Sequence, residues 1–159
     1  MTEAYATTRP TQQRRSVTTL AGILLAGLAS WGTAQAAETE FDRYIVHHNV
    51  INTTFLSPDV ARAYEIRRSS SRALVNVTVM EKAEGGLRAV PATVNGRATN
   101  RNQQMKFIGF RSVTDGDAVY QLGEVPVRGG EELNFEIDVR PQTSSETLTV
   151  EFSQRFYGD

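Results

Sequence analysis

Two segments near the carboxyl end of the chain alternate between apolar and polar residues. The apolar members of the first segment are Leu133, Phe135, Ile137 and Val139. Those of the second segment are Leu148, Val150, Phe152 and Phe156. Because successive side chains of a β-strand point to opposite faces, a period of two is typical of a half-buried strand. The pattern predicts two antiparallel neighbours, joined by the turn-rich residues 141–146.

Five more strands are predicted by the same criterion, over residues 44–51, 73–79, 90–94, 105–113 and 118–127. In the second of these, Ala73, Val75, Val77 and Val79 form the inward row. Residues 44–51 alternate imperfectly, which predicts a β-bulge there. Residues 114–117 connect two of the strands as a hairpin, and Asn95-Gly96 predicts a sharp bend.

One segment breaks the period of two. Ser57, Pro58 and Asp59 place a capping hydroxyl, a first-turn proline and a first-turn acid before a run that can continue as a helix. We predict about two helical turns that cover an open edge or end of the β structure. About seven strands with one short helix indicate an all-β, two-sheet antiparallel sandwich of immunoglobulin-like architecture. A small closed barrel is the alternative.

Segment 90–94 carries the prediction of a partner-binding edge. Pro91 cannot donate a ladder hydrogen bond, and this suits an edge strand. Arg88 and Arg97 flank the segment. We expect a protein partner to dock there or on the nearby loop that carries Arg67, Arg68 and Arg72. The competing interpretation is that these charges only keep the domain monomeric.

The amino-terminal 36 residues are typical of an export signal. Arg14 and Arg15 precede a short apolar run, and Ala34-Gln35-Ala36 closes with small residues. The run is shorter than the roughly 20 residues that span a bilayer, which favours a cleaved signal over a permanent anchor. We predict cleavage after Ala36, a single mature domain over 37–159 and a periplasmic location. Both the general secretory and the twin-arginine route remain open.

Composition excludes several classes of chemistry. The chain has no cysteine, which excludes disulfides, a cysteine nucleophile and a thiolate metal site. Residues 37–159 carry 14 Lys+Arg and 17 Asp+Glu, a net charge of −3 with both signs interspersed. No basic stripe or cationic amphipathic helix is present in the sequence, so we expect neither a nucleic-acid partner nor stable membrane insertion after cleavage.

The strongest polar cluster surrounds the only two histidines. It comprises His47, Asn49, Asn52 and Thr53. His47 and His48 are adjacent, so a strand points them to opposite faces and they are badly placed to chelate one ion. The asparagine and threonine side chains are predicted either to satisfy backbone groups at a strand end or to form a site. We predict no metal, no cofactor and no catalytic residue.

Several motifs resemble the small exported Gram-negative family called domain of unknown function 4426. They are Tyr44-Ile45-Val46-His47, residues 52–56, residues 72–77, residues 115–120 and Gln154-Arg155-Phe156-Tyr157. His48 and Glu65 depart from the tyrosine and glycine that the resemblance implies. The resemblance implies an exported single domain, but it carries no activity and no catalytic residue to transfer.

These observations favour a non-enzymatic binding or accessory module of the envelope, whose partner is an unknown envelope protein or envelope component. The alternative is a periplasmic hydrolase that uses His47 with an unidentified acid. A pocket that encloses His47 beside a carboxylate would favour the enzyme, whereas an open sheet face or strand edge would favour binding.

Overall fold

The computed structural model describes residues 37–157, which form nine β-strands, one α-helix and a 3₁₀ helix. The strands are β1 (Ala37–Glu40), β2 (Tyr44–Asn52), β3 (Arg72–Ala83), β4 (Gly86–Ala89), β5 (Ala92–Asn100), β6 (Met105–Asp115), β7 (Ala118–Pro126), β8 (Glu132–Pro141) and β9 (Leu148–Arg155). Helix α1 spans Pro58–Ala63, and the 3₁₀ helix spans Thr53–Phe55. The predicted signal peptide lies outside the described residues.

All nine strands belong to one antiparallel sheet that is nearly closed, like a barrel. Its order is β1-β2-β3-β7-β6-β5-β8-β9, and β4 also pairs with β3. Strand β6 is the joint, because its residues 105–109 pair with β5 and its residues 110–115 pair with β7. The all-β prediction is confirmed. The prediction of seven strands in two separate sheets is corrected, because the structure has nine strands in one sheet. Hydrophobic alternation in the sequence cannot show that one strand, β6, pairs with neighbours in both halves of the sheet.

The core confirms the predicted inward faces. Phe135 of β8 lies opposite Phe152 of β9, as expected for antiparallel neighbours. All four predicted inward residues of β8, and the inward row of β3, are fully or almost fully buried. Since burial of apolar side chains is the main favourable term in folding, this shared interior holds the two halves of the sheet together.

Strand β2 shows no bulge. Its residues 44–52 pair without interruption with residues 81–73 of β3. Tyr44, Val46, His48 and Val50 are all buried, so the alternation is regular once His48 is counted as an inward residue. The bulge prediction is wrong because it treats His48 as a polar, outward residue, whereas His48 is buried.

Segment 90–94 does not form a strand of its own, because residues 92–94 are the start of β5 and the Val90 amide donates to the Val79 carbonyl of β3. Strand β5 lies between β6 and β8, but residues 92–94 pair with β8 alone and only residues 95–99 also pair with β6. Pro91 lies just before β5, where the chain leaves β4, and its carbonyl accepts a hydrogen bond from the Gln142 amide at 2.9 Å. The residue without a backbone N–H therefore lies where the chain crosses from β4 to β5. The predicted bend at Asn95-Gly96 is also wrong, since both residues lie within β5.

Helix α1 is capped as predicted, because the Ser57 hydroxyl accepts a hydrogen bond from the Val60 amide at 3.2 Å. The helix covers the outer face of the sheet rather than an edge or an end. Its Ala61 belongs to a second apolar cluster, separate from the main core. The other buried members of that cluster are Ile51, Leu56, Ile66, Leu74, Tyr120 and Leu122. In residues 37–157 no helix has the length and apolarity needed to cross a membrane.

Candidate functional site

The two histidines of β2 lie on opposite faces of the sheet, as predicted. His47 is half-exposed on the outer face, where its Nδ1 lies 3.5 Å from a carboxylate oxygen of Glu38 on β1. His48 is 6 % exposed and points into the core. The pair therefore cannot act on one ligand.

His48 is held between the two halves of the sheet. Its ring stacks on Phe152 with a centroid distance of 4.3 Å, and Phe152 stacks in turn on Phe135 at 4.9 Å. Burial, and next the adjacent His47, lower the pKa of His48 below its ordinary value. The cause is that an apolar site disfavours the charged imidazolium. The neutral ring therefore acts here as a packing group.

Acidification is expected to destabilise the fold through His48. In the unfolded chain its pKa is about 6.5. Since the folded pKa is lower, the unfolded state binds more protons below that pH, and the free energy of unfolding falls as the pH decreases from 6.5 toward 5. One proton contributes at most about 1.4 kcal/mol per pH unit. Urea titrations at several pH values should show this slope in the wild type and in His47→Gln, whereas a His48→Phe variant that kept the full slope would contradict the assignment.

At the end of β2, the side-chain amide of Asn52 and the hydroxyl of Thr53 form hydrogen bonds with Thr54 and with the loop before β3. Asn52 accepts hydrogen bonds from the amide and the hydroxyl of Thr54, at 3.0 and 2.7 Å, and its Nδ2 donates to the Ser70 carbonyl. Thr53 is buried, and its hydroxyl donates to the Ser69 carbonyl and accepts from the Ser69 amide. These contacts fasten the 3₁₀ helix to the loop before β3.

The predicted polar cluster thus divides into two parts. His47 and Asn49 lie on the outer face of β2, where Asn49 faces Asn76 of β3. Asn52 and Thr53 lie at the strand end and are engaged in the contacts just described. The four residues are close in sequence, but they do not converge on a common cavity.

The predicted partner-binding arginines are spread over the molecule. Arg72 lies 3.3 Å from Glu124, Arg88 lies 2.6 Å from Glu81, and Arg97 pairs with Glu136 across β5 and β8. Arg68 donates to the Thr54 carbonyl at 2.9 Å, and Arg67 is exposed. Of these five arginines, Arg97 is the one that lines the groove described below.

Glu81 is a buried acid that the sequence interpretation missed. It lies at the end of the inward row of β3, and Arg88 and Arg43 hold its two carboxylate oxygens at 2.6 and 2.8 Å. The hydrogen bond from Arg88 is the main cause that lowers the pKa of Glu81. The sequence did contain a signal for its burial, because Glu81 is the next position after Val79 in the period-two inward row that begins at Ala73. Its role is to join β3 to β4 and to the turn before β2.

A groove of about 410 Å³ opens on the outer face of β5, β8 and β9. Its lining residues are Arg97, Thr99, Asn134, Phe135, Glu136, Glu151, Phe152 and Ser153. Phe107 of β6 lies opposite Arg97 in register, and Met105 lies opposite Thr99. Phe107 is 81 % exposed and Met105 is 51 % exposed. The groove and these two apolar side chains form the groove face, which sequence reasoning did not find.

Comparisons with known proteins identify the family. Residues 38–159 match the family described as domain of unknown function DUF4426. The crystal structure of a DUF4426 family protein from Pseudomonas aeruginosa PAO1 is 32 % identical, has a TM-score of 0.67, and covers 77 % of this chain and 95 % of its own. No curated protein matches the sequence.

Two crystal structures of FetP from uropathogenic E. coli are more distant. The "as isolated" protein, expressed in the periplasm of E. coli, is 10 % identical with a TM-score of 0.55 over 77 % of this chain and 94 % of its own. A copper-bound variant is 11 % identical with a TM-score of 0.54 over 77 % and 95 %. At this identity FetP shares the fold alone. On the family match and the 32 % identical relative, which confirm the resemblance of its motifs, this chain belongs to the DUF4426 family.

Proposed function

We propose that this chain is an exported, non-enzymatic binding domain of the bacterial envelope that holds a protein partner on its groove face. The observation that carries the proposal is the exposed Phe107 and Met105 beside an open polar groove. Aromatic residues, methionine and arginine are enriched in protein interfaces, where a few of them supply most of the binding energy. Phe107, Met105 and Arg97 provide all three types on two neighbouring strands.

The hydrolase alternative gains no support from His47. Its imidazole and Glu38 lie on an open strand surface rather than in a pocket. No hydroxyl among the described residues is hydrogen-bonded to His47, so the arrangement lacks the activated nucleophile that acyl transfer requires. A hydrolase that activates a water molecule directly would need a pocket around His47, but the groove lies on the other half of the sheet.

The donor set does not fit the copper that one FetP structure holds. Within residues 37–157, no group of three histidine, cysteine, aspartate or glutamate side chains is close enough to hold an ion. His47 and Glu38 supply two donors on an exposed surface, fewer than a closed transition-metal site uses. A copper function is therefore not proposed for this chain.

Export is supported by the charged, apolar and small-residue sequence of the first 36 residues. We expect protein expressed from the full chain to be recovered from the periplasm with Ala37 as its first residue, which is also the first residue of β1. Edman sequencing of the periplasmic fraction tests this. Protein that keeps Met1 and stays in the membrane fraction would contradict export, without bearing on whether the groove face binds a protein.

Loss of Phe107 tests the binding face. The purified protein, tagged at its carboxyl end, is cross-linked in an envelope extract, and its partners are identified by mass spectrometry. Phe107→Ser is expected to weaken recovery of the partner at least about tenfold, because truncating a central aromatic residue typically costs well over 1.4 kcal/mol.

Phe55→Ser is the matched control, because Phe55 is also exposed but lies on the 3₁₀ helix after β2. Equal recovery by the wild type and Phe107→Ser would overturn the assigned face. Recovery of a polysaccharide rather than a protein would contradict the partner class.

A further inference from the structure

The free edge of β9 presents a regular row of backbone groups. Strand β9 ends the sheet, and β8 is its only partner strand within residues 37–157. Just after β9, the Phe156 amide donates to the Glu131 carbonyl at 2.8 Å, and the Phe156 carbonyl accepts from the Gly130 amide at 2.7 Å. Backbone directions alternate along an antiparallel strand. The amides and carbonyls of residues 149, 151, 153 and 155 therefore point away from β8, to the free edge.

The side chains on this edge are polar, exposed and lie in two charged rows. The first row crosses the sheet through Arg97, Glu136 and Glu151, and the two glutamates face each other in register. Directly opposed like charges are unfavourable in a sheet. This row contains one guanidinium, which pairs with Glu136, and two carboxylates, so it has one negative charge in excess.

The second row has the opposite imbalance. Arg101 and Arg155 lie 2.7 and 3.0 Å from the same carboxylate oxygen of Glu132. Two guanidiniums serve one carboxylate, so this row has one positive charge in excess. Both rows end on the free edge of β9, at Glu151 and Arg155, with Ser153 midway between them.

We propose that β9 pairs antiparallel with β9 of a second copy of this chain, about a two-fold axis at Ser153. In this register Glu151 faces Arg155 of the partner subunit, and Arg155 faces the partner's Glu151. Each contact combines one row's excess negative charge with the other row's excess positive charge. The interface is thus isologous, as a two-fold dimer requires.

The neighbouring registers lack this complementarity. A shift of one pair in one direction places Glu151 opposite Ser153 of the partner subunit, and a further shift places Glu151 opposite the partner's Glu151, which is repulsive. The proposed register also places Tyr157, which is 82 % exposed, opposite Thr149 of the partner subunit. Pairing would protect an eight-residue free edge that is otherwise open to aggregation.

Sedimentation equilibrium of protein purified after expression of the full chain tests the dimer. We expect a monomer–dimer equilibrium at micromolar concentrations. Glu151→Arg and Arg155→Glu should each weaken dimerisation about tenfold or more, because each turns two attractive contacts into repulsive ones. The double variant, which exchanges the two charges, should restore it. Ser153→Pro should also weaken the dimer, because it removes an edge donor that the β8 ladder does not use.

Glu84→Arg is the charge control, since Glu84 is exposed in the turn between β3 and β4. Circular dichroism of every variant separates loss of pairing from loss of folding. The proposal would be overturned if the wild type stayed monomeric over a 100-fold range of protein concentration. A dimer that is insensitive to Ser153→Pro, or single charge variants that the double variant does not rescue, would also overturn it. All three outcomes concern the oligomeric state of the purified chain alone, whereas Phe107→Ser reports separately on the binding of another protein at the groove face.

Discussion

Replacing Phe135 by alanine is expected to lower the free energy of unfolding by about 3–5 kcal/mol, measured by urea denaturation. The Phe135 ring is almost completely buried, and it stacks on Phe152 with an interplanar angle of 7°. Its removal leaves a cavity at the point where β8 and β9 pack against β2. A domain of this size has a total stability of about 5–15 kcal/mol, so the loss is a large share.

Two further variants test the reason for this effect. Phe152→Ala should cost less than Phe135→Ala, because Phe152 is only partly buried. Glu136→Gln should change stability by less than about 0.5 kcal/mol, because its side chain lies on the outer face. A Phe135→Ala loss below about 1 kcal/mol, or a larger loss in Glu136→Gln, would contradict the assigned inward face of β8.

Gly123→Ala is expected to lower the free energy of unfolding by about 1–3 kcal/mol, the usual range for an overpacked core. A Cβ at Gly123 of β7 would lie 2.7 Å from Cγ2 of Ile108 and 3.0 Å from the Phe110 ring. Ile108 is buried, so it has little room to move. The strain falls on β6 at the point where it changes partners.

Gly109→Ala is the matched control for this prediction. Gly109 is adjacent to Ile108 on β6, but no heavy atom lies within 4 Å of a Cβ built there. Alanine should therefore be neutral or slightly stabilising, since it restricts the unfolded chain more than glycine does. Equal losses in the two variants would show that the effect arises from the strand backbone rather than from the close approach of Ile108.

Membership of the DUF4426 family and the shared fold of FetP do not by themselves assign an activity, because unrelated functions recur on one fold. The function must therefore be inferred from the surfaces of this chain. The outer face over β2, β3 and β7 is covered by α1 and its apolar cluster. The groove face on the other half of the sheet remains open and carries Phe107, Met105 and Arg97. Under the proposed function, the covered half of the sheet would serve packing and the open half recognition.

The proposed edge and the proposed groove face are compatible. Antiparallel addition of a second β9 would continue the same sheet, so that two grooves would lie on one extended face. Glu151 and Ser153 border both features. A partner could therefore contact both copies of the chain, which would raise its apparent affinity through the high effective concentration of the second site.

The sequence by itself determined seven of the nine strands, missing the short β1 and β4, and it determined the buried face of β3 and β8. The alternation of Leu133 to Val139, the inward row of β3 and the Ser57 cap are local patterns. The period of a strand and the capping of a helix end depend on residues that are close in sequence, so these predictions needed no knowledge of distant contacts. The same local rule, applied with histidine counted as polar, produced the incorrect bulge in β2.

Only the tertiary structure decided which strands are neighbours where no short turn joins them. Nothing in segment 90–94 shows that the chain crosses at Pro91 from β4, which pairs with β3, to β5, which pairs with β6 and β8. The burial of His48 depends on Phe152, more than 100 residues away, and the pairing of Glu81 depends on Arg43 and Arg88. The groove face likewise joins side chains from β5, β6, β8 and β9. These features arise from contacts between distant segments, which no local pattern encodes.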